Sequence, residues 1–113
     1  MVKYIPRQKD IIFADFNPVK GHEQGKYRPA IVLSLDVFNK NTNMILCCPI
    51  SSNTKQFPTH YELQDSKKIS GSVFLEHLRS FDFQERNVKY IEKCSNEDFE
   101  NIMLILNSCF TDK

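Results

Sequence analysis

Pro29-Ala30-Ile31-Val32-Leu33-Ser34-Leu35 and Met44-Ile45-Leu46-Cys47-Cys48-Pro49-Ile50 are two apolar runs of strand-forming composition, and Asp36-Val37-Phe38-Asn39-Lys40-Asn41-Thr42-Asn43 between them is polar, with three Asn. The pattern predicts a β-hairpin with a loop over 36–43. Folding about the centre of that loop pairs residues whose numbers sum to 79, which sets Arg28 opposite Ser51 at the open end. Directly opposed Cβ atoms lie about 5 Å apart. Pro29 biases Arg28 toward extended backbone, and Pro49, lacking an N–H, marks where ladder pairing should end. Both side chains then project from strand ends.

Outward from the hairpin, Ile11 to Phe16 reads as a strand closed by Asn17-Pro18, and Asn17 to Tyr27 reads as a loop through Pro18, Gly21 and Gly25. Thr59 to Gln64, Gly71 to Leu78, Arg79 to Phe83 and Val88 to Glu92 are further short strands. Ser95 followed by Asp98 resembles a capping box, and Phe99, Ile102, Met103, Leu106, Cys109 and Phe110 recur at helical spacing. The expected fold is mainly β, a small barrel with an amphipathic C-terminal helix closing one side.

A chain of 113 residues fits one domain, 1–113. Hydrophobic residues at 41% and charged residues at 26% exclude disordered and collagen-like classes. Met1 to Lys9 lacks the apolar run of a signal peptide, and no stretch approaches the roughly 20 apolar residues of a membrane span, so the expectation is a cytoplasmic protein without a membrane partner. Cys47, Cys48, Cys94 and Cys109 show no CxxC spacing. Three of them, Cys47, Cys48 and Cys109, sit in apolar runs, where a reduced thiol acts as a small hydrophobe. The net charge of +1 hides an asymmetry: residues 1–75 carry +4 and residues 76–113 carry −3. The first two thirds can therefore build a local basic surface for a short polyanion.

Arg28 is the first candidate functional residue, because a guanidinium is a permanent planar cation that matches two phosphate oxygens. RNA carries its own nucleophile, the 2′-hydroxyl. Cleavage needs a base for that proton, an acid for the departing 5′ oxygen and positive charge on the phosphorane, with no metal or other cofactor. In that scheme Arg28 stabilises charge, Ser51 hydrogen-bonds a phosphate oxygen, and His22 or Glu23 is the base. Glu76 and His77 form a second pair. On a strand they would point to opposite faces, so at most one of them, Glu76 by preference, would face the site.

The stretch Asp15 to Ser34, with its core GHEQ at 21–24 and RPAIVLS at 28–34, closely resembles the signature of the MazF/PemK/Kid family of toxin endoribonucleases. Phe38-Asn39, Cys48-Pro49-Ile50-Ser51-Ser52, the Gly71 strand and the last helix follow in the family's order, so the resemblance runs from about Tyr4 to Phe110. It implies an SH3-like barrel and a homodimer whose groove binds single-stranded RNA such as mRNA. It also implies metal-independent, sequence-selective cleavage to 2′,3′-cyclic phosphate and 5′-hydroxyl ends, and a cognate MazE-like antitoxin whose acidic tail occupies the same surface. The family's catalytic arginine falls on Arg28 and its hydroxyl on Ser51; Glu23 matches the loop glutamate and His22 a histidine of the Kid branch.

Candidate RNA contacts around these are Asn17, Lys20, Gln24, Lys26 and Tyr27, then Ser52 and Asn53, then Glu76. The hydroxyl position is more familiar as Thr, and Ser52 is an alternative donor. The Kid-branch Asp aligns with Glu76 and its Arg with Phe74, so an acid from that strand is not expected. A second reading is a non-catalytic toxin of the same barrel that binds a protein such as gyrase; Arg28 together with Ser51 argues against it.

Overall fold

The structure, a computed structural model, describes residues 3–16 and 27–112. Along the chain come β1 (Asp10–Asp15), β2 (Tyr27–Val32), α1 (Asp36–Thr42), β3 (Met44–Ser51), β4 (His60–Glu62), β5 (Ser72–Phe74), a 3-10 turn (Leu75–His77), β6 (Arg79–Asp82), β7 (Lys89–Lys93) and α2 (Asn96–Ser108). The seven strands pair antiparallel in the order β4-β5-β3-β2-β1-β7, with β6 also on β3. The expected class, mainly β with a C-terminal helix, is the one observed. Among the described residues no helix is long and apolar enough to cross a membrane.

Alternation along the strands builds two cores. Ile11, Ile31, Cys48, Ile50 and Val73 pack with Phe99, Ile102 and Leu106 of α2, while Ile12, Ala14, Ala30, Val32, Ile45, Cys47 and Phe81 form a second cluster. Successive strand residues face opposite ways. The adjacent Cys47 and Cys48 therefore belong to different cores, both as reduced, fully buried thiols. Cys109 departs from its expected core role: α2 ends at Ser108, and Cys109 and Phe110 lie beyond it, exposed.

The hairpin register is as expected, with Ala30 opposite Pro49, Ile31 opposite Cys48 and Val32 opposite Cys47. Its connection is not a loop. Asp36–Thr42 is helical, with Asp36 in the first turn, Lys40 in the last, and Asn43 ending it in the left-handed conformation at φ 57°. Asn tolerates that conformation better than most residues, and the charges at the two ends suit the helix dipole. Asn39 is buried, donating from Nδ2 to the Pro6 carbonyl at 2.9 Å while its Oδ1 accepts from Ser34 Oγ at 2.5 Å. That pinning fastens α1 to the sheet.

The Gly71–Leu78 segment also differs from a continuous strand. β5 pairs with Ile50 and Ser51, β6 pairs with Met44 to Cys47, and the 3-10 turn spans the gap opposite Cys48 and Pro49. Pro49 offers no N–H to a neighbour, and the chain leaves the ladder beside it. At the end of the sheet, α2 begins as expected, with Ser95 Oγ accepting from the Asp98 amide at 3.0 Å. Asp98 does not close a capping box; its buried carboxylate instead takes Tyr61 Oη–H at 2.6 Å and the amides of Gln64 and Asp65 at 3.1 and 3.0 Å.

Candidate active site

Arg28 stands on β2 opposite Ala14 of β1, two residues before the last recorded β2–β3 pair, with its side chain exposed. Ser51 ends β3, opposite Ser72 of β5. Both line one cleft of about 550 Å³, together with Ser52, Lys68 and Ser70. Ser51 Oγ accepts from the Asn53 amide at 3.0 Å, which orients the hydroxyl and leaves its own proton to donate. Gly71 packs under the site: at φ +143°, a Cβ there would stand 2.4 Å from the Ser51 carbonyl oxygen.

Lys68 reaches this cleft on the connection between β4 and β5. Asp98 holds the start of that connection and Glu92 of β7 the part around Lys68, accepting the amides of Lys67, Lys68 and Ile69 at 3.0, 2.9 and 2.9 Å. Burial pushes the Glu92 carboxyl up, but the three amides and the nearby Lys68 outweigh it and hold the group below the usual range. The result is a wall with its backbone fixed at 67–69, from which Lys68 lines the same cleft as Arg28.

Arg28 also borders a second cleft of about 350 Å³, with Phe16, Glu76, His77 and Arg79. Because 75–77 is a 3-10 turn and not a strand, Glu76 and His77 do not alternate across a sheet; both line this cleft. The expectation that at most one would face the site is thereby corrected. Glu76 Oε1 accepts from Thr59 Oγ1 at 2.6 Å and Oε2 lies 2.7 Å from His60 Nε2. Burial raises the Glu76 carboxyl, yet the bonds from Thr59 and His60 prevail and hold it below the usual range. His60 is itself fixed, with Nδ1 at 3.2 Å from the Lys55 carbonyl and its ring stacked on Phe74 at 3.7 Å. His77 Nε2 stands 3.9 Å from Glu76 Oε2, with its side chain 61% exposed.

Asn17, Lys20, His22, Glu23, Gln24 and Lys26 lie outside the described residues. The two stems of their segment are tied to one place. Arg86 Nη1 donates to the Phe16 carbonyl at 2.9 Å, Asn87 Nδ2 donates to Asp15 Oδ2 at 2.9 Å, and Tyr27 Oη–H reaches the Asn87 carbonyl at 3.3 Å. Tyr27 also stacks on Phe13 at 5.2 Å. It is thus engaged in anchoring that stem, and it lines neither cleft beside Arg28. Asn53 turns the chain after β3, accepting on Oδ1 from the Lys55 amide at 3.0 Å. The sequence reading passed over Lys68 and Ser70, which enter the first cleft on a connection whose course no periodicity records, and Arg79, which enters the second from the first residue of β6.

Two clefts meeting at one exposed arginine, one rich in hydroxyls and one bearing an imidazole, make a surface suited to a phosphodiester. The pattern of the "PemK-like, MazF-like toxin of type II toxin-antitoxin system" family matches residues 7–110. Endoribonuclease toxin MazF of Escherichia coli (strain K12) is 30% identical over 105 residues, 93% of this chain and 94% of its own. A crystal structure of MazE-MazF (Form-II) from Deinococcus radiodurans is similar at TM-score 0.86 and 31% identity, over 95% of this chain and 96% of that one. One of MazF (Form-I) from the same organism is similar at TM-score 0.83 and 31% identity, over 95% and 97%. The chain therefore belongs to the family of PemK-like, MazF-like toxins of type II toxin–antitoxin systems.

Proposed function

We propose that this protein is a toxin endoribonuclease that cuts single-stranded RNA, mRNA included, by metal-independent transesterification. The observation that carries the reading is the cleft shared by Arg28 and Ser51. The substrate's 2′-oxygen attacks the adjacent phosphorus and the P–O5′ bond breaks, leaving a 2′,3′-cyclic phosphate and a 5′-hydroxyl. Arg28 pairs with the non-bridging oxygens as their charge grows, and Ser51 donates its hydroxyl proton to one of them. Lys68 adds a phosphate contact, with Ser52 beside it. His22 or Glu23, in the segment between Phe16 and Tyr27, takes the 2′ proton, and Asn17, Lys20, Gln24 and Lys26 supply further RNA contacts.

The whole chain, 1–113, is read as one toxin domain. It acts as a homodimer in the cytoplasm, where mRNA is found, and a cognate MazE-like antitoxin silences it. The crystal structure of MazE-MazF from a relative supports that pairing.

Purified protein is expected to cut single-stranded RNA in excess EDTA, with ends mapping to a cyclic phosphate and a 5′-hydroxyl. Arg28→Ala is expected to lose on the order of 10² to 10³ in rate, the usual effect of removing a transition-state donor. Duplex RNA should resist, because its geometry holds the backbone away from in-line attack. Undiminished cleavage by the Arg28→Ala protein would sink the assignment.

A further inference from the structure

The two clefts beside Arg28 divide the chemistry between them. In-line displacement at phosphorus puts the attacking and leaving oxygens on opposite sides, with the charged non-bridging oxygens between. A guanidinium bordering both clefts is placed for the non-bridging oxygens, so one bridging oxygen falls on the side of Phe16, Glu76 and His77.

Among the described residues lining either cleft, few can move a proton near neutral pH. Arg28, Lys68 and Arg79 stay cationic. Arg79 is further occupied, its guanidinium lying 5.4 Å from the Phe16 ring centre and 5.8 Å from that of Phe81. Glu76 has each oxygen engaged, one by Thr59 and one by His60, and so serves as a fixed anion. His60, the imidazole that holds Glu76, lies outside both clefts, with a partner at each ring nitrogen and its ring stacked on Phe74. His77 does line the second cleft, its ring exposed and braced edge-on against Phe74 at 5.9 Å, with Nε2 3.9 Å from the Glu76 carboxylate.

We propose that His77 is the general acid of the reaction, giving its proton to the departing 5′ oxygen, with Glu76 as the residue that positions it through the Thr59 and His60 anchors. The inference rests on the endoribonuclease reading above. As the 2′-oxygen bonds to phosphorus and its proton passes to the base, the P–O5′ pair of electrons leaves on oxygen and takes the imidazolium proton. Neutral His77 is then reprotonated from solvent. Nothing else is consumed.

The test uses a substrate whose leaving group needs no acid. Wild-type digestion first maps a cleaved linkage; the same RNA is then made with sulfur replacing the bridging 5′ oxygen there, since a thiolate departs unprotonated. In single-turnover reactions His77→Ala should cut natural RNA on the order of 10² more slowly than wild type, within the range for a general acid, and should approach the wild-type rate on the sulfur-bridged RNA. Arg28→Ala should remain slow on both. Because His77 is exposed, the variant should melt with the wild type. His77→Ala cutting natural RNA at the wild-type rate overturns the proposal, and so does an equal defect on the two substrates. A wild-type protein that cuts neither RNA overturns the endoribonuclease reading, and this inference with it.

Discussion

Gly71 shows how a single residue without a side chain shapes a site it never touches the substrate from. Its φ of +143° is a backbone conformation that side chains rarely adopt, and a Cβ would be driven to 2.4 Å from the Ser51 carbonyl oxygen, a backbone atom with little room to yield. Gly71→Ala is therefore expected to destabilise the protein by about 2 kcal/mol or more, which at this size lowers the melting temperature by roughly 8 °C. It should also displace Ser51 and slow cleavage at temperatures where the variant is still folded. Thermal melting with single-turnover kinetics checks both; a variant that melts with the wild type contradicts the argument. The register sum that brings Arg28 and Ser51 to one end of the hairpin is legible in the sequence, because two apolar runs flanking a polar stretch leave few ways to pair. The need for Gly71 is not, since it arises from a strand 20 residues away in the chain.

Strands declared themselves as short apolar runs of strand-forming composition between turn residues, and α2 by its period and its Ser95 cap. The misreadings fell on short elements, where a local pattern has too few residues to speak. Asp36–Thr42 is two turns of helix whose ends are marked only by Asp36 and Asn43. The 3-10 turn at Leu75–His77 answers to Pro49 on the neighbouring strand, and it is what turns Glu76 and His77 into one cleft. The connection between β4 and β5 is equally silent in sequence, since it is ordered from outside by Asp98 and, around Lys68, by Glu92. Replacing the Glu92 carboxylate by an amide keeps its shape while removing the charge and leaving one acceptor for three amides. Glu92→Gln is expected to cost about 1 to 3 kcal/mol, the range for hydrogen bonds to a charged group, and to raise KM for RNA more than it lowers kcat, because Lys68 loses its fixed place. Steady-state kinetics separates the two. A fall in kcat at unchanged KM would mean that this connection positions no RNA contact. The depressed Glu92 carboxyl also gives a sign: its stabilisation is present above the ordinary carboxylate range and is lost as pH falls through the folded value.

At the scale of the whole molecule, one sheet with two cores commits three of the four thiols to the interior. Cys47 lies in one cluster, Cys48 in the other, and Cys94 packs beside α2. Burial pushes the Cys47 thiol up from 9.0 to about 12 and Cys94 from 9.0 to about 12, and it raises Cys48 further. In the unfolded chain each thiol ionises near its ordinary value, whereas in the folded protein it stays protonated. The unfolded state therefore binds fewer protons in that window, and stability falls as pH rises. The loss begins near the ordinary thiol value of 9.0 and continues until pH reaches the folded value of about 12. Within the window each thiol contributes a slope of about 1.4 kcal/mol per pH unit. Other groups also titrate there, so the comparison that isolates the thiols is with a Cys47→Ala, Cys48→Val protein, whatever its absolute stability. Urea unfolding of the reduced proteins from pH 7 to 11 should give parallel curves up to about pH 8 and a shallower alkaline decline in the variant. Identical slopes above pH 9 would show that the two cores are open enough to water for these thiols to ionise in place.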